Sequence, residues 1–298
     1  MSDIVLLDGG LGQEIVRRSG DRPTPLWSTS VMIDEPGVVG GVHRDFFAAG
    51  ATVATTNSYA IHRDRLEPAG LATRFQALLL MAADEAEKAR AVSGFGRVAG
   101  SLGPLGASYR PDLCPPPDEA EKLYAEVAGI LAPHVDFFIC ETVVSLVHAE
   151  GALRGAKTAG KPVWLALSVK DDDGTKLRSG EALSDIRAIV DAYGPEAVLI
   201  NCSAPEAIGD ALKIVKDFGL PFGAYANGFT KISEAFLESR PTVDALERRK
   251  DLGPQAYAEI AMGWVAQGAT IVGGCCEVGP AHIKELARRL TAAGHRIV

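Results

Sequence analysis

Three of the five cysteines in this 298-residue sequence fall in two short stretches, "NCS" at 201–203 and "GGCC" at 273–276. Soft thiolates select zinc, and three protein ligands with a fourth position open is the arrangement of a catalytic zinc rather than a structural one. Cys202, Cys275 and Cys276 are therefore candidate zinc ligands. The alternative is that they are small buried hydrophobes, the usual fate of a free cysteine, and for Cys114 and Cys140 that reading is preferred. Adjacent cysteines fit packing less well, because strand neighbours point to opposite faces unless the backbone turns. Gly273 and Gly274 would permit that turn.

Those residues need elements that bring them together. Apolar runs that read as strands lie at 4–8, 52–58, 97–103, 135–142, 163–169, 197–203, 222–227 and 270–276. Their nearly continuous apolar character suits parallel strands covered on both faces. Amphipathic stripes alternate with them, such as Tyr257, Ile260, Ala261, Trp264 and Val265, or Ile283, Leu286, Ala287 and Leu290. Repeated βα units without a break in composition predict a (β/α)8 TIM barrel over residues 1–298 as a single domain. In a closed barrel the sixth and eighth strands are separated by one strand, so Cys202 can meet Cys275 and Cys276 above the mouth. Active sites of barrels form at this C-terminal face. Insertions at 108–122 and 227–254 follow strand ends and should form its walls or lids.

A formal net charge of -8, with scattered Lys and Arg, disfavours nucleic acid and anionic membrane and favours small-molecule partners. The N-terminus "MSDIVLLDGG" shows no basic leader, and no window approaches the apolar length of a membrane span. A cytoplasmic location is expected, where thiols stay reduced. An odd cysteine count there argues against a disulfide framework.

The motifs "LDGGLG" at 7–12, "PLWS" at 25–28, "GSLGPLGASY" at 100–109, "ETVVSLVHAEGAL" at 141–153, "NCSAP" at 201–205 and "GGCC" at 273–276 together resemble the zinc-dependent homocysteine S-methyltransferases. The resemblance runs in order along nearly the whole chain. It implies a (β/α)8 barrel with zinc on Cys202, Cys275 and Cys276, and methyl transfer to the homocysteine thiol, giving methionine. A free thiol is only a few per cent thiolate at neutral pH, whereas zinc coordination deprotonates it. The resemblance also implies that Asp8 and Glu141, closing strands one and four, bind the homocysteine ammonium. The competing readings are a turn or cap acid for Asp8 and a structural ion pair for Glu141. Backbone N–H groups at Gly9, Gly10 and Leu11, ahead of a helix, are expected to receive the substrate carboxylate.

Asn201 precedes the first ligand and is either a substrate-side residue or a partner for strand-end backbone. His282 reads as a helix-capping or packing residue and is left out of the site. Trp27 and Tyr59 map to the strand-end face, where aromatic rings suit an onium methyl donor unless they only pack the rim. Two positions depart from the family pattern: Thr142 stands where betaine-using members carry a tyrosine, and Glu277 where many carry an arginine. With no cobalamin-type motif, the donor is expected to be a small onium compound, S-methylmethionine first, with S-adenosylmethionine or a betaine-type compound after it. Other classes are a Schiff-base lyase on Lys170, a non-catalytic zinc-thiolate barrel, and a subunit of a multi-component corrinoid or folate methyltransferase. The three acids after Lys170 argue against the first, because they would hold that amine charged.

Overall fold

The computed structural model describes residues 2–20, 26–230 and 247–298. Every apolar run becomes a strand: β1 Asp3–Leu6, β2 Val53–Thr55, β3 Arg97–Leu102, β4 Phe137–Val143, β5 Val163–Leu167, β6 Ala197–Asn201, β7 Phe222–Tyr225 and β8 Ile271–Val272. They are parallel neighbours from β2 to β8 in chain order, with β1 beside β8, and helices intervene between successive strands. The chain is a (β/α)8 barrel.

The seam between β1 and β2 is closed unusually. Leu6 O accepts the Thr52 N–H at 2.7 Å and the Thr52 hydroxyl at 3.2 Å. Lower on the same edge, Ser2 O and Ile4 O accept the N–H groups of Arg296 and Val298. A ninth strand, β9 Arg296–Ile297, thus fills the lower part of the seam. Two residues carry no periodicity, so no sequence pattern announces it.

Alternation along the strands sorts side chains into two apolar layers. Phe137 and Ile139 of β4, Trp164 and Ala166 of β5, and Ala197 and Leu199 of β6 pack inside the barrel. Phe138, Cys140, Leu165, Val198 and Ile200 face outward, into the layer shared with the helices. The rings of Phe137 and Trp164 stand 4.2 Å apart with the Arg97 guanidinium over both, plugging the N-terminal end.

Four of the outer helices, Pro117–Leu131, Pro205–Lys216, Pro254–Ala266 and Pro280–Ala292, begin on proline. Its fixed φ suits the first turn, and its missing N–H would have no helical partner there. Of the expected stripe, Tyr257, Ala261, Trp264 and Val265 are buried and Ile260 is half-buried. No helix among the described residues is long and apolar enough to cross a membrane. Pro25 of "PLWS" and most of the second expected insertion, at 231–246, lie outside the described residues.

Candidate active site

Above the aromatic plug a cavity of about 340 Å3 opens at the C-terminal ends of the strands, in the size range of a small-molecule site. Of the residues expected to bind metal or substrate, Asp8, Gly9, Gly10, Leu11, Trp27, Tyr59, Glu141, Cys202, Cys275 and Cys276 line it, and Asn201 does not. Strand alternation explains Glu141: it continues the inward face of β4 from Phe137 and Ile139. Its Oε1 accepts from the Ser101 hydroxyl and its Oε2 from the Tyr225 hydroxyl at 3.2 Å. Asp8 accepts from the Thr55 N–H at 2.7 Å and the Thr55 hydroxyl at 2.8 Å.

Both carboxyls are buried, and among the described residues neither has a cationic partner. Glu141 is therefore in no structural ion pair, and Asp8 is not the residue that caps helix Leu11–Arg18, a place taken by Gly10. Loss of hydration pushes Asp8 up to about 7, against the hydrogen bonds from Thr55, and raises Glu141 as well. Two buried acids without a counter-charge make a receptor for a cation.

Folding raises Asp8 from its ordinary 3.8 to about 7, so the folded state holds a proton that the unfolded chain releases. The stability that goes with this proton is intact below about pH 4 and is lost as pH rises through 7. An Asp8→Asn variant is expected to gain on the unliganded wild type by several degrees in Tm between pH 5 and pH 8. Parallel Tm curves for the two proteins would show that Asp8 stays ionised.

The cysteines converge as the barrel requires. Cys202 and Cys275 have Cα atoms 5.8 Å apart and are joined as a disulfide, and Cys276 lines the same cavity with a free thiol. The cysteine count argues against a disulfide framework, and the structure holds this one bridge beside three free thiols: strand ends that bring thiols close enough to share an ion also bring them close enough to oxidise. With that pair joined, no group of three His, Cys, Asp or Glu among the described residues is set to hold a metal ion. The donor set nevertheless fits a soft cation once reduced. Burial pushes the Cys276 thiol up to about 12, so as a thiolate it needs a positive neighbour. Cys140 points outward to Ala152 O, and Cys114 sits beside Pro115 O in the loop after β3; neither lines the cavity.

Gly273 and Gly274, expected to permit a turn, do not have positive φ. A Cβ on Gly273 would stand 2.5 Å from Leu7 Cβ, and one on Gly274 2.1 Å from Val278 Cγ1, so glycine is needed there for close approach. The turns at the mouth are made by other residues. Trp27, Tyr109, Thr142, Cys202 and Glu277 all have positive φ, between 48° and 65°. Cys202 is held in that state by bonds to its carbonyl from Arg178 Nη2 at 3.0 Å and Ser168 Oγ at 3.2 Å.

The aromatic wall is tied to the cysteine loop. Trp27 Nε1 donates to Gln13 Oε1 at 2.8 Å, Gln13 Nε2 donates to Glu277 Oε1 at 2.7 Å, and Arg248 pairs with Glu277 at 3.2 Å. Glu277, a departure from the family pattern, thus anchors the wall. Trp27 meets Tyr59 edge-on with centroids 6.2 Å apart, and the Tyr59 hydroxyl is 2.8 Å from Ser108 Oγ. Ser108 and Tyr109 bring the first insertion into the cavity wall, as its position predicts.

Other expectations fare differently. Asn201 bonds the Thr142 N–H and hydroxyl, the backbone-supporting alternative. The Gly10 N–H is taken by Val278 O and the Leu11 N–H by Gly9 O, so these two are already engaged rather than set to receive a carboxylate. His282 caps helix Pro280–Ala292, accepting the Gly279 N–H on Nδ1. Lys170 does not line the cavity. Ser101 and Tyr225, in "GSLG" and "FGAYAN", were missed although both sit at strand ends.

A homocysteine S-methyltransferase family model matches residues 5–290. The chain is 30% identical to homocysteine S-methyltransferase of Escherichia coli (strain K12), over 96% of this chain and 95% of that one. It is 27% identical to homocysteine S-methyltransferase YbgG of Bacillus subtilis (strain 168), over 95% and 93%. Crystal structures of the homocysteine methyltransferase MmuM from Escherichia coli match at 28% identity. The metallated form has a TM-score of 0.81, covering 97% of this chain and 96% of that one, and the oxidized form one of 0.79, covering 96% of each.

Proposed function

The chain belongs to the homocysteine S-methyltransferase family and transfers a methyl group to homocysteine, and on that premise we propose zinc as its metal and a small sulfonium, S-methylmethionine first, as its methyl donor. The observation that carries the acceptor half is the pair of buried, cation-free acids facing the same cavity as the three cysteines. Asp8 and Glu141 take the homocysteine ammonium, with Thr55, Ser101 and Tyr225 holding the carboxylates in place, and the acceptor thiol is directed toward the cysteines. Zinc held by reduced Cys202, Cys275 and Cys276 would supply the deprotonated, nucleophilic state of that thiol at neutral pH. Residues 1–298 act as one catalytic barrel, a reading supported by the span of the family match.

Transfer is a displacement at carbon. The homocysteine sulfur forms a bond to the donor methyl, the bond from that methyl to the onium sulfur breaks, and its electron pair stays on the departing sulfur. Positive charge on the donor disappears as the reaction proceeds, so a strong anion beside the onium would stabilise the ground state and slow transfer. Trp27 and Tyr59 offer aromatic rings instead, each worth about 0.5–2 kcal/mol to a cation.

Replacing Trp27 or Tyr59 with alanine is expected to weaken use of S-methylmethionine several-fold while leaving zinc content unchanged, and S-methylmethionine is expected to be used better than glycine betaine. Methionine formation from homocysteine, measured across a panel of donors with zinc determined on the same sample, checks the whole reading. Zinc without transfer from any donor would favour a corrinoid or folate partner. Preference for betaine, or unchanged donor kinetics in both variants, would overturn the aromatic assignment.

A further inference from the structure

One part of the cavity has no role in the steps above. Arg65 and Asp64, in the one-turn helix Arg63–Leu66 that follows Tyr59, both line it. Arg65 Nη2 donates to Pro104 O at 2.8 Å, while its Nε is buried with no hydrogen-bond partner. No carboxylate among the described residues forms an ion pair with it. Its guanidinium carbon lies 5.9 Å from the Tyr59 ring centroid, along the aromatic wall. Asp64 is fixed by the Gly106 N–H, which donates to Oδ2 at 2.7 Å. A guanidinium that lines a ligand cavity with no carboxylate paired to it among the described residues suits a planar anion, because its fork matches a carboxylate. An acid on the adjacent residue suits an ammonium close to that carboxylate.

We propose that Arg65, with Asp64 beside it, binds the α-carboxylate and α-ammonium of the methyl donor, so that the donor is selected as a zwitterionic amino-acid sulfonium. The inference rests on the sulfonium reading and adds to it a recognition site separate from the acid pair that holds homocysteine.

The test compares S-methylmethionine with trimethylsulfonium, which has neither carboxylate nor ammonium. Arg65→Met keeps the bulk of the stem and removes the fork; it is expected to raise the KM for S-methylmethionine about tenfold or more, with trimethylsulfonium and homocysteine kinetics unchanged. Arg65→Lys, retaining charge without the fork, should fall between. Titration of S-methylmethionine followed by tryptophan fluorescence, with Trp27 in the wall, measures the same loss without turnover. Wild-type protein that transfers no methyl from either sulfonium would count against the donor reading, and the titration still decides on Arg65. Equal losses for both sulfoniums, or S-methylmethionine binding that is absent in wild type or unchanged in Arg65→Met, would overturn the proposal.

Discussion

A Cys275→Ser, Cys276→Ser double variant is expected to copurify without zinc and to form methionine at least about 100-fold more slowly than wild type, which should carry about one zinc per chain when kept reduced. Serine is nearly isosteric, but its hard hydroxyl is a poor substitute for a thiolate toward a soft ion. The three sulfurs share one mouth, so Cys202→Ser should also lower metal and activity together. Cys114→Ser serves as the control, since Cys114 lies outside the cavity. Because Cys202 and Cys275 can join, metal loading should depend on reductant during purification. Full activity in the double variant would remove the metal from the mechanism and leave the acid pair and the aromatic wall without a thiol-activating partner.

The second large effect concerns the acceptor. Deleting one member of a desolvated charge pair typically costs about 2–5 kcal/mol, so Glu141→Ala should raise the homocysteine KM by at least about one order of magnitude. Zinc content should not change, because Glu141 touches Ser101 and Tyr225 rather than a cysteine. The charge assignment has its own control in 4-mercaptobutyrate, an acceptor that lacks the amino group. It should be a poor substrate for wild type and suffer little further in the variant. Loss of metal in Glu141→Ala would instead make the residue a support for the cysteine loop, and an equal penalty for both acceptors would remove its ammonium contact.

Much of this site could be read from residue types at strand ends, because a barrel gathers such positions on one face whatever the helices do. Where the sequence misled, the backbone was turning. The runs 52–58 and 270–276 shorten to Val53–Thr55 and Ile271–Val272, since the residues after them leave the ladder to build the mouth. Asn201 is drawn to Thr142 by a backbone N–H with no ladder partner of its own, and side-chain identity alone does not show that demand. The Gly10 amide is taken for a similar reason: Val278, on the far side of the cysteine loop, has a carbonyl to satisfy. Arg65 was invisible because its meaning depends on lining the cavity with no carboxylate paired to it among the described residues, a property of packing rather than of sequence.

Among the described residues, the five with positive φ and no glycine's freedom all stand at the mouth, on the cavity wall or immediately after Glu141 or Cys276. Left-handed backbone costs an ordinary residue about 1–2 kcal/mol, so this rim forgoes several kcal/mol that the rest of the barrel must supply. Selection for thermal resistance alone would favour glycine at Thr142 or Glu277, and at Glu277 it would release Gln13 and through it Trp27. Durability and donor recognition are thus opposed at the same few positions, and a more robust enzyme is better sought in the helices and the β1/β2 seam than at the face where the substrates meet.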